Sequence, residues 1–186
     1  MIKQINVGVI GTGWCGGIRA NACNNNPLVD KLYIAETNKK RLSELKNSLE
    51  LEAATENWQD LVSNNDIDTI IISATPETTH YPMALASLKA GKNVMCTVPM
   101  STSIEECKQI VDLVKETGLK YMMAETVVYS REFLFIKEMY EKGEMGDIQF
   151  MQASHPQDME GWPDYWEKMI PMHYATHVVS PVLGLV

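Results

Sequence analysis

Four short apolar runs, Val7 to Ile10, Leu32 to Ala35, Thr69 to Ser73 and Asn93 to Thr97, are separated by longer segments of helical composition. Runs of this length suit strands buried on both faces of a parallel sheet. The pattern between them predicts helices over Gly16 to Asn24, Lys39 to Leu49, Trp58 to Val62, Tyr81 to Ala90 and Ile104 to Thr117. Gly91 and Gly118 stand where helix C-terminal caps belong. Ser103, with Glu105 and Glu106 behind it, supplies a cap and acidic residues at a helix start. Lys120 to Met123 predicts a further strand. After it the pattern changes to a helix from Arg131 to Lys142 ending at Gly143, a strand from Ile148 to Ser154, and an apolar helix near His173 to Leu185. A lone strand leaves its ladder groups unpaired. The expectation is therefore a chain that is part of a longer protein, the alternative being a sheet completed by another molecule. The fold class expected is α/β: a doubly wound parallel sheet over 1–123, followed by an incomplete α+β unit over 124–186 that begins a substrate or oligomerisation domain.

Between the first apolar run and the first helix lies Gly11-Thr12-Gly13-Trp14-Cys15-Gly16, and Glu36 closes the next apolar run twenty positions later. A Gly-x-Gly-x-x-Gly run in this context reads as a dinucleotide-binding turn. Gly11 permits the tight turn, Gly13 lets main chain approach a pyrophosphate, and Gly16 lets helix and strand pack closely. The helix N-terminus, with Thr12 and Trp14 beside it, then faces the phosphates. Glu36 falls where a carboxylate accepts hydrogen bonds from both ribose hydroxyls and repels a 2′-phosphate, which favours NAD over NADP. Lys39, Lys40 and Arg41 either soften that preference or form a solvated helix face. The competing reading of the whole run is an ordinary strand-turn-helix.

Composition narrows the partners. The 186 residues carry a formal charge of −8 and no basic run. Nucleic acid and anionic membrane surfaces are therefore disfavoured, and a small ligand is expected. Cys15, Cys23, Cys96 and Cys107 lack paired metal-ligand spacing. With one of them inside the glycine-rich turn, a disulfide framework is disfavoured and a reducing cytoplasm is expected. The first strand leaves no room for a signal peptide, and no apolar stretch approaches membrane-spanning length. The methionines, Met95, Met100, Met122, Met123, Met169 and Met172 among them, read as adaptable core filling.

The chain resembles the glucose-fructose oxidoreductase, inositol dehydrogenase and rhizopine-catabolism group, written Gfo/Idh/MocA. The resemblance runs over the whole chain. It rests on the glycine turn, Ala74-Thr75-Pro76 with His80, Pro99, Arg131, Gly143-Glu144-Met145-Gly146 and His177. It implies a Rossmann domain followed by an open antiparallel sheet, usually in a longer chain. It also implies that Thr75, Pro76 and His80 line the cofactor near its nicotinamide half and phosphates, and that Glu125 lies close to the nicotinamide. A turn with proline at the carboxyl end of a parallel strand is where doubly wound sheets bind ligands, so the residues agree in part. His80 reads equally as a partly exposed histidine at a helix start.

Two departures from the family pattern matter more than the matches. Most members carry Glu-Lys-Pro where this chain has Thr97-Val98-Pro99, and valine can neither donate a hydrogen bond nor hold a charge. Many members carry Asp and His four residues apart where this chain has His173 and His177. Residues at i and i+4 share one helical face. His177 is the candidate general base, with His173 orienting it or binding substrate. A His-x-x-x-His metal pair and a purely structural role stay open, and no third ligand is assignable. Trp162, Tyr165 and Trp166, with His155, would stack on sugar rings in the family arrangement or serve as aromatic core. The function expected is hydride transfer between a sugar or cyclitol secondary alcohol and NAD, in a homo-oligomer. The alternatives are an NAD-dependent glycoside hydrolase working by transient oxidation and elimination, and an NAD(P)-binding sensor without turnover.

Overall fold

The structure, a computed structural model, describes residues 3–162, 164, 166 and 170–185. Pro163, Tyr165 and Met169 lie outside the described residues. The chain divides into two compact units, Met1–Met123 and Ala124–Val186.

The first unit holds six strands: β1 (Ile5–Ile10), β2 (Val29–Ala35), β3 (Ala53–Thr55), β4 (Thr69–Ile72), β5 (Asn93–Cys96) and β6 (Tyr121–Met123). All pair in parallel, in the order β3-β2-β1-β4-β5-β6. The connections are α1 (Trp14–Asn24), α2 (Lys39–Ser48), α3 (Trp58–Ser63), α4 (His80–Lys89) and α5 (Ile104–Thr117). This is the doubly wound Rossmann arrangement that the alternation of apolar runs and helical segments predicts. Side chains alternate across each strand. Val7, Val9, Leu32, Ile34 and Ile71 pack with Ala20, Leu42 and Leu45 in one core cluster. Ile10, Tyr33, Ala35, Ile70, Ile72, Val94 and Cys96 pack with Leu61, Met83, Ala84, Leu88 and Ile110 in the other. Both faces are thus buried, which is why the central strands read as unbroken apolar runs. Strand order reverses between β1 and β4. The carboxyl ends of these two strands, next to the glycine turn, form the switch point where such sheets bind ligands.

The helix ends follow the local rules. Ser103 caps α5 by accepting from Glu106 N, and Gly118 closes it at φ +69°. β3 escaped the sequence reading. Ala53-Ala54-Thr55 has little intrinsic strand preference, and it becomes a strand because Tyr33, Ile34 and Ala35 of β2 offer it a ladder.

The second unit contains α6 (Arg131–Glu141) and α7 (Thr176–Leu183). Ser130 Oγ caps α6 by accepting from Phe133 N at 3.2 Å, and Phe133 is buried. Two expectations are corrected here. Ile148–Ser154 forms no strand: among the described residues of this unit no strand is available to pair with it, and Phe150 is 81% exposed. The single helix over His173 to Leu185 is instead a 3-10 turn over Pro171–Tyr174, then Ala175, then α7.

Candidate functional site

The chain leaves β1 at Ile10 and turns through Gly11 at φ +77°, a conformation that disfavours any side chain. A Cβ on Gly16 would lie 2.0 Å from Gly11 O, so α1 begins in direct contact with the turn. Gly13 is the N-cap of α1, and nothing lies within 4 Å of where its Cβ would be. The first turn of α1 holds no acidic residue, leaving the helix N-terminus free to attract an anion. These residues fit a dinucleotide pyrophosphate: two glycines bring turn and helix together, and the third leaves space open above the helix end. Trp14, the first residue of α1, is 51% exposed.

Glu36 follows β2 and already has partners in the turn. Its Oε2 accepts from Thr12 N at 2.8 Å and Thr12 Oγ1 at 2.6 Å, and its Oε1 accepts from Asn38 N at 2.8 Å. Burial pushes the carboxyl pKa up, but the Thr12 hydroxyl, the Asn38 and Thr12 amides and the Arg41 charge outweigh it and hold the group below its ordinary value. Glu36 is therefore a fixed carboxylate at the end of β2, its Oε2 filled by the two Thr12 donors and its Oε1 left with one further acceptor position. Arg41 Nε donates to Thr12 O at 3.1 Å, so Thr12, fully buried, is gripped from both sides. Lys39 pairs with Glu56 at 3.6 Å.

The loops after β4 and β5 hold the next group. Thr75 and Pro76 are exposed, while His80 is buried, with Nδ1 2.8 Å from Pro99 O and Nε2 3.0 Å from Ala74 O. Both ring nitrogens of His80 thus engage the protein's own main chain. Arg19, a residue the sequence reading passed over, donates from Nη1 to Ser73 Oγ at 3.0 Å and Thr97 Oγ1 at 2.9 Å. It ties α1 to the ends of β4 and β5. Only its position three residues after Gly16 hinted at such a reach.

In the second unit, His177 Nδ1 donates to Glu125 Oε1 at 2.6 Å. The two side chains are 10% and 4% exposed. Oε1 also accepts from Val127 N at 3.1 Å, which fixes the carboxylate, while Oε2 is buried with no hydrogen-bond partner among the described residues. With Nδ1 engaged by the carboxylate, His177 presents Nε2 as its proton acceptor, the arrangement in which an acid orients a basic imidazole. Tyr174 stands edge-on to the His177 ring at 4.5 Å between centroids, and His155 lies 4.9 Å away. Trp166 contacts Tyr174 at 5.4 Å and Trp162 at 4.9 Å. His177 thus gathers Glu125, His155 and Tyr174. His173 falls in the 3-10 turn and His177 in α7, so the shared α-helical face does not form. Among the described residues no three His, Cys, Asp or Glu side chains could hold a metal ion. No described helix is long and apolar enough to cross a membrane.

A doubly wound sheet with this glycine turn defines a dinucleotide-binding protein. The model of the oxidoreductase family with an NAD-binding Rossmann fold matches residues 5–125, and the chain belongs to that Gfo/Idh/MocA family. A glycosyl hydrolase family 109 protein of Shewanella baltica is 35% identical over 137 residues, covering 67% of this chain and 30% of the relative. An alpha-N-acetylgalactosaminidase of Shewanella oneidensis is 33% identical over the same length and shares. The structure of scyllo-inositol dehydrogenase from Lactobacillus casei with bound NAD(H) and scyllo-inositol superposes with a TM-score of 0.73 at 25% identity, over 78% of this chain and 43% of that one. The match with these curated relatives thus spans less than a third of their length.

Proposed function

We propose that the chain serves an NAD-dependent enzyme acting on a secondary alcohol of a sugar or cyclitol, with glycoside cleavage as the outcome. The observation that carries the reading is the Glu125–His177 pair, an imidazole held by a buried carboxylate, in a chain whose other unit carries the NAD-type turn. Bound NAD would supply a reversible hydride acceptor, sufficient for net oxidation of a carbinol or, when the hydride is returned, for cleavage through a transient ring ketone. Gly11, Gly13 and Gly16 would seat the pyrophosphate, and Glu36 would accept from the adenosine ribose, favouring NAD over NADP. His177 Nε2 takes the proton of the reacting hydroxyl, and Glu125 stabilises the resulting imidazolium. Glu125 Oε2, buried and with no hydrogen-bond partner among the described residues, has acceptor capacity left for a ligand hydroxyl or amide. Val98 offers no proton, so the reading places proton transfer on His177, the imidazole held by a carboxylate.

Cleavage is favoured over net oxidation because the relatives 33–35% identical bear glycosidase names. Net oxidation is the second reading, supported by the inositol dehydrogenase neighbour. The test incubates the protein with NAD and a panel of aryl glycosides, sugars and cyclitols, recording NADH absorbance together with released aglycone. Aglycone without net NADH is the expected result. NADH without aglycone favours the dehydrogenase, and NAD binding with silence on both favours a sensor.

A further inference from the structure

Lys39, Lys40 and Arg41 open α2, close behind Glu36. Lys39 pairs with Glu56 at 3.6 Å and Lys40 is exposed. Arg41 turns back toward the glycine turn, where Nε donates to Thr12 O at 3.1 Å and Nη2 lies against α1 at Gly17. A Cβ on Gly17 would stand 2.5 Å from Nη2, closer than a side chain can lie. Outside α1 itself, the nearest main-chain atom to that position is Thr12 O at 3.5 Å, an ordinary contact. The missing side chain of Gly17 therefore makes room for a guanidinium, whereas that of Gly16 makes room for main chain.

Most of the donors on this guanidinium are unspent. Thr12 O engages Nε, and Glu44, its carboxylate partner, stands 3.9 Å from Nη1, beyond hydrogen-bond distance. No acceptor is bonded to Nη1 or Nη2 among the described residues, and the side chain is 42% exposed, so a ligand can reach it. A planar fork of fixed N–H donors matches the oxygens of a phosphate. Thr12 bonds both this cation and Glu36. The carboxylate has one acceptor position left on Oε1, whereas an adenosine ribose offers two vicinal hydroxyls. Glu36 can hold one of them, so it discriminates less than a carboxylate that grips both, and the neighbouring cation offsets its repulsion of a 2′-phosphate.

We infer that Arg41, seated by Gly17, is a 2′-phosphate-binding residue, so that the turn takes NADP as well as NAD. The inference rests on the dinucleotide reading above and narrows its preference for NAD. Glu36 accepts from the 2′-hydroxyl of NAD, and Arg41 donates from Nη1 and Nη2 to the 2′-phosphate of NADP.

The test is calorimetric titration of the full chain with NAD and with NADP, in the wild type, Gly17→Ala and Arg41→Met. The wild type is expected to bind NADP with a Kd within about tenfold of that for NAD. In Gly17→Ala the added methyl displaces only the end of a flexible side chain. Alanine also suits a helix interior better than glycine, so denaturant unfolding should show a fold at least as stable as wild type. NADP should nonetheless bind at least about tenfold more weakly, the loss of a bidentate charged contact, while the Kd for NAD changes about twofold or less. Arg41→Met should widen the gap between the two cofactors at least as far. A wild type that binds NAD but takes NADP more than about tenfold more weakly overturns the inference and leaves the NAD reading standing. Variants that leave the NADP-to-NAD ratio of Kd unchanged overturn it as well. Failure of both cofactors to bind the wild type overturns the dinucleotide reading, and this inference with it.

Discussion

Replacing Gly16 and Gly13 one at a time by alanine separates the two jobs of the glycine turn. In Gly16→Ala the new Cβ would sit 2.0 Å from Gly11 O, 2.9 Å from Gly11 C and 3.0 Å from Ser73 Cβ. Two of these neighbours are main chain, so α1 and the turn must part by about 1 Å to restore an ordinary contact. Overpacking of this kind costs about 1–3 kcal/mol of stability. The same movement withdraws the helix N-terminus from the phosphates. Losing about two charge-assisted hydrogen bonds, at about 1.5 kcal/mol each, weakens NAD binding about 100-fold. In Gly13→Ala the Cβ meets nothing within 4 Å. Alanine as an N-cap costs at most about 1 kcal/mol, yet its methyl fills the open space above the helix end. NAD binding should fall at least about tenfold while the fold stays near wild type. Denaturant unfolding and calorimetric NAD titration of the two variants measure both effects. Gly13→Ala binding NAD as tightly as wild type refutes the placement of the pyrophosphate, and Gly16→Ala matching wild type in both measurements refutes the packing argument.

Three further outcomes follow from the site. Glu125→Gln replaces the carboxylate that holds His177 Nδ1–H with an amide, and should lower kcat about 10²- to 10⁴-fold with little change in NAD affinity, read from initial rates and titration. Glu36 holds its proton more weakly folded than unfolded, so its contribution to stability is full above the ordinary carboxylate value of 4.5 and fades as pH falls through its lower folded value. Glu36→Gln should therefore flatten the acid limb of an unfolding curve and shift cofactor preference toward NADP, and an unchanged acid limb would count against the Thr12–Glu36 bond. Arg19→Met removes the bonds to Ser73 and Thr97 and should cost about 1–3 kcal/mol by denaturant titration; a loss below the measurement error would mean the bridge carries no stability.

The first unit was largely legible because its information is local. Apolar runs, helix caps and the glycine spacing each lie within a few residues of the feature they specify. β3 was not legible, since Ala53 to Thr55 are a strand only through β2. The pairing of Glu125 with His177 joins residues 52 apart, and no periodicity or spacing reports it. His173 and His177 show the reverse error: spacing promised a shared helical face, but the 3-10 turn that holds His173 ends at Tyr174 and α7 starts afresh at Thr176, so the two stand in separate elements. Arg19 and Thr12 were hidden for another reason. Their roles lie in where a long side chain or a buried hydroxyl ends, which neighbouring elements decide.

Cleavage through transient oxidation is read from the isotopic content of the sugar released from a glycoside in D2O with catalytic NAD. Transient oxidation makes the neighbouring ring C–H acidic, so this route predicts released sugar with one carbon-bound deuterium from solvent, and no net NADH. Cleavage that leaves every ring carbon free of deuterium, or proceeds undiminished when NAD is stripped away, would contradict it.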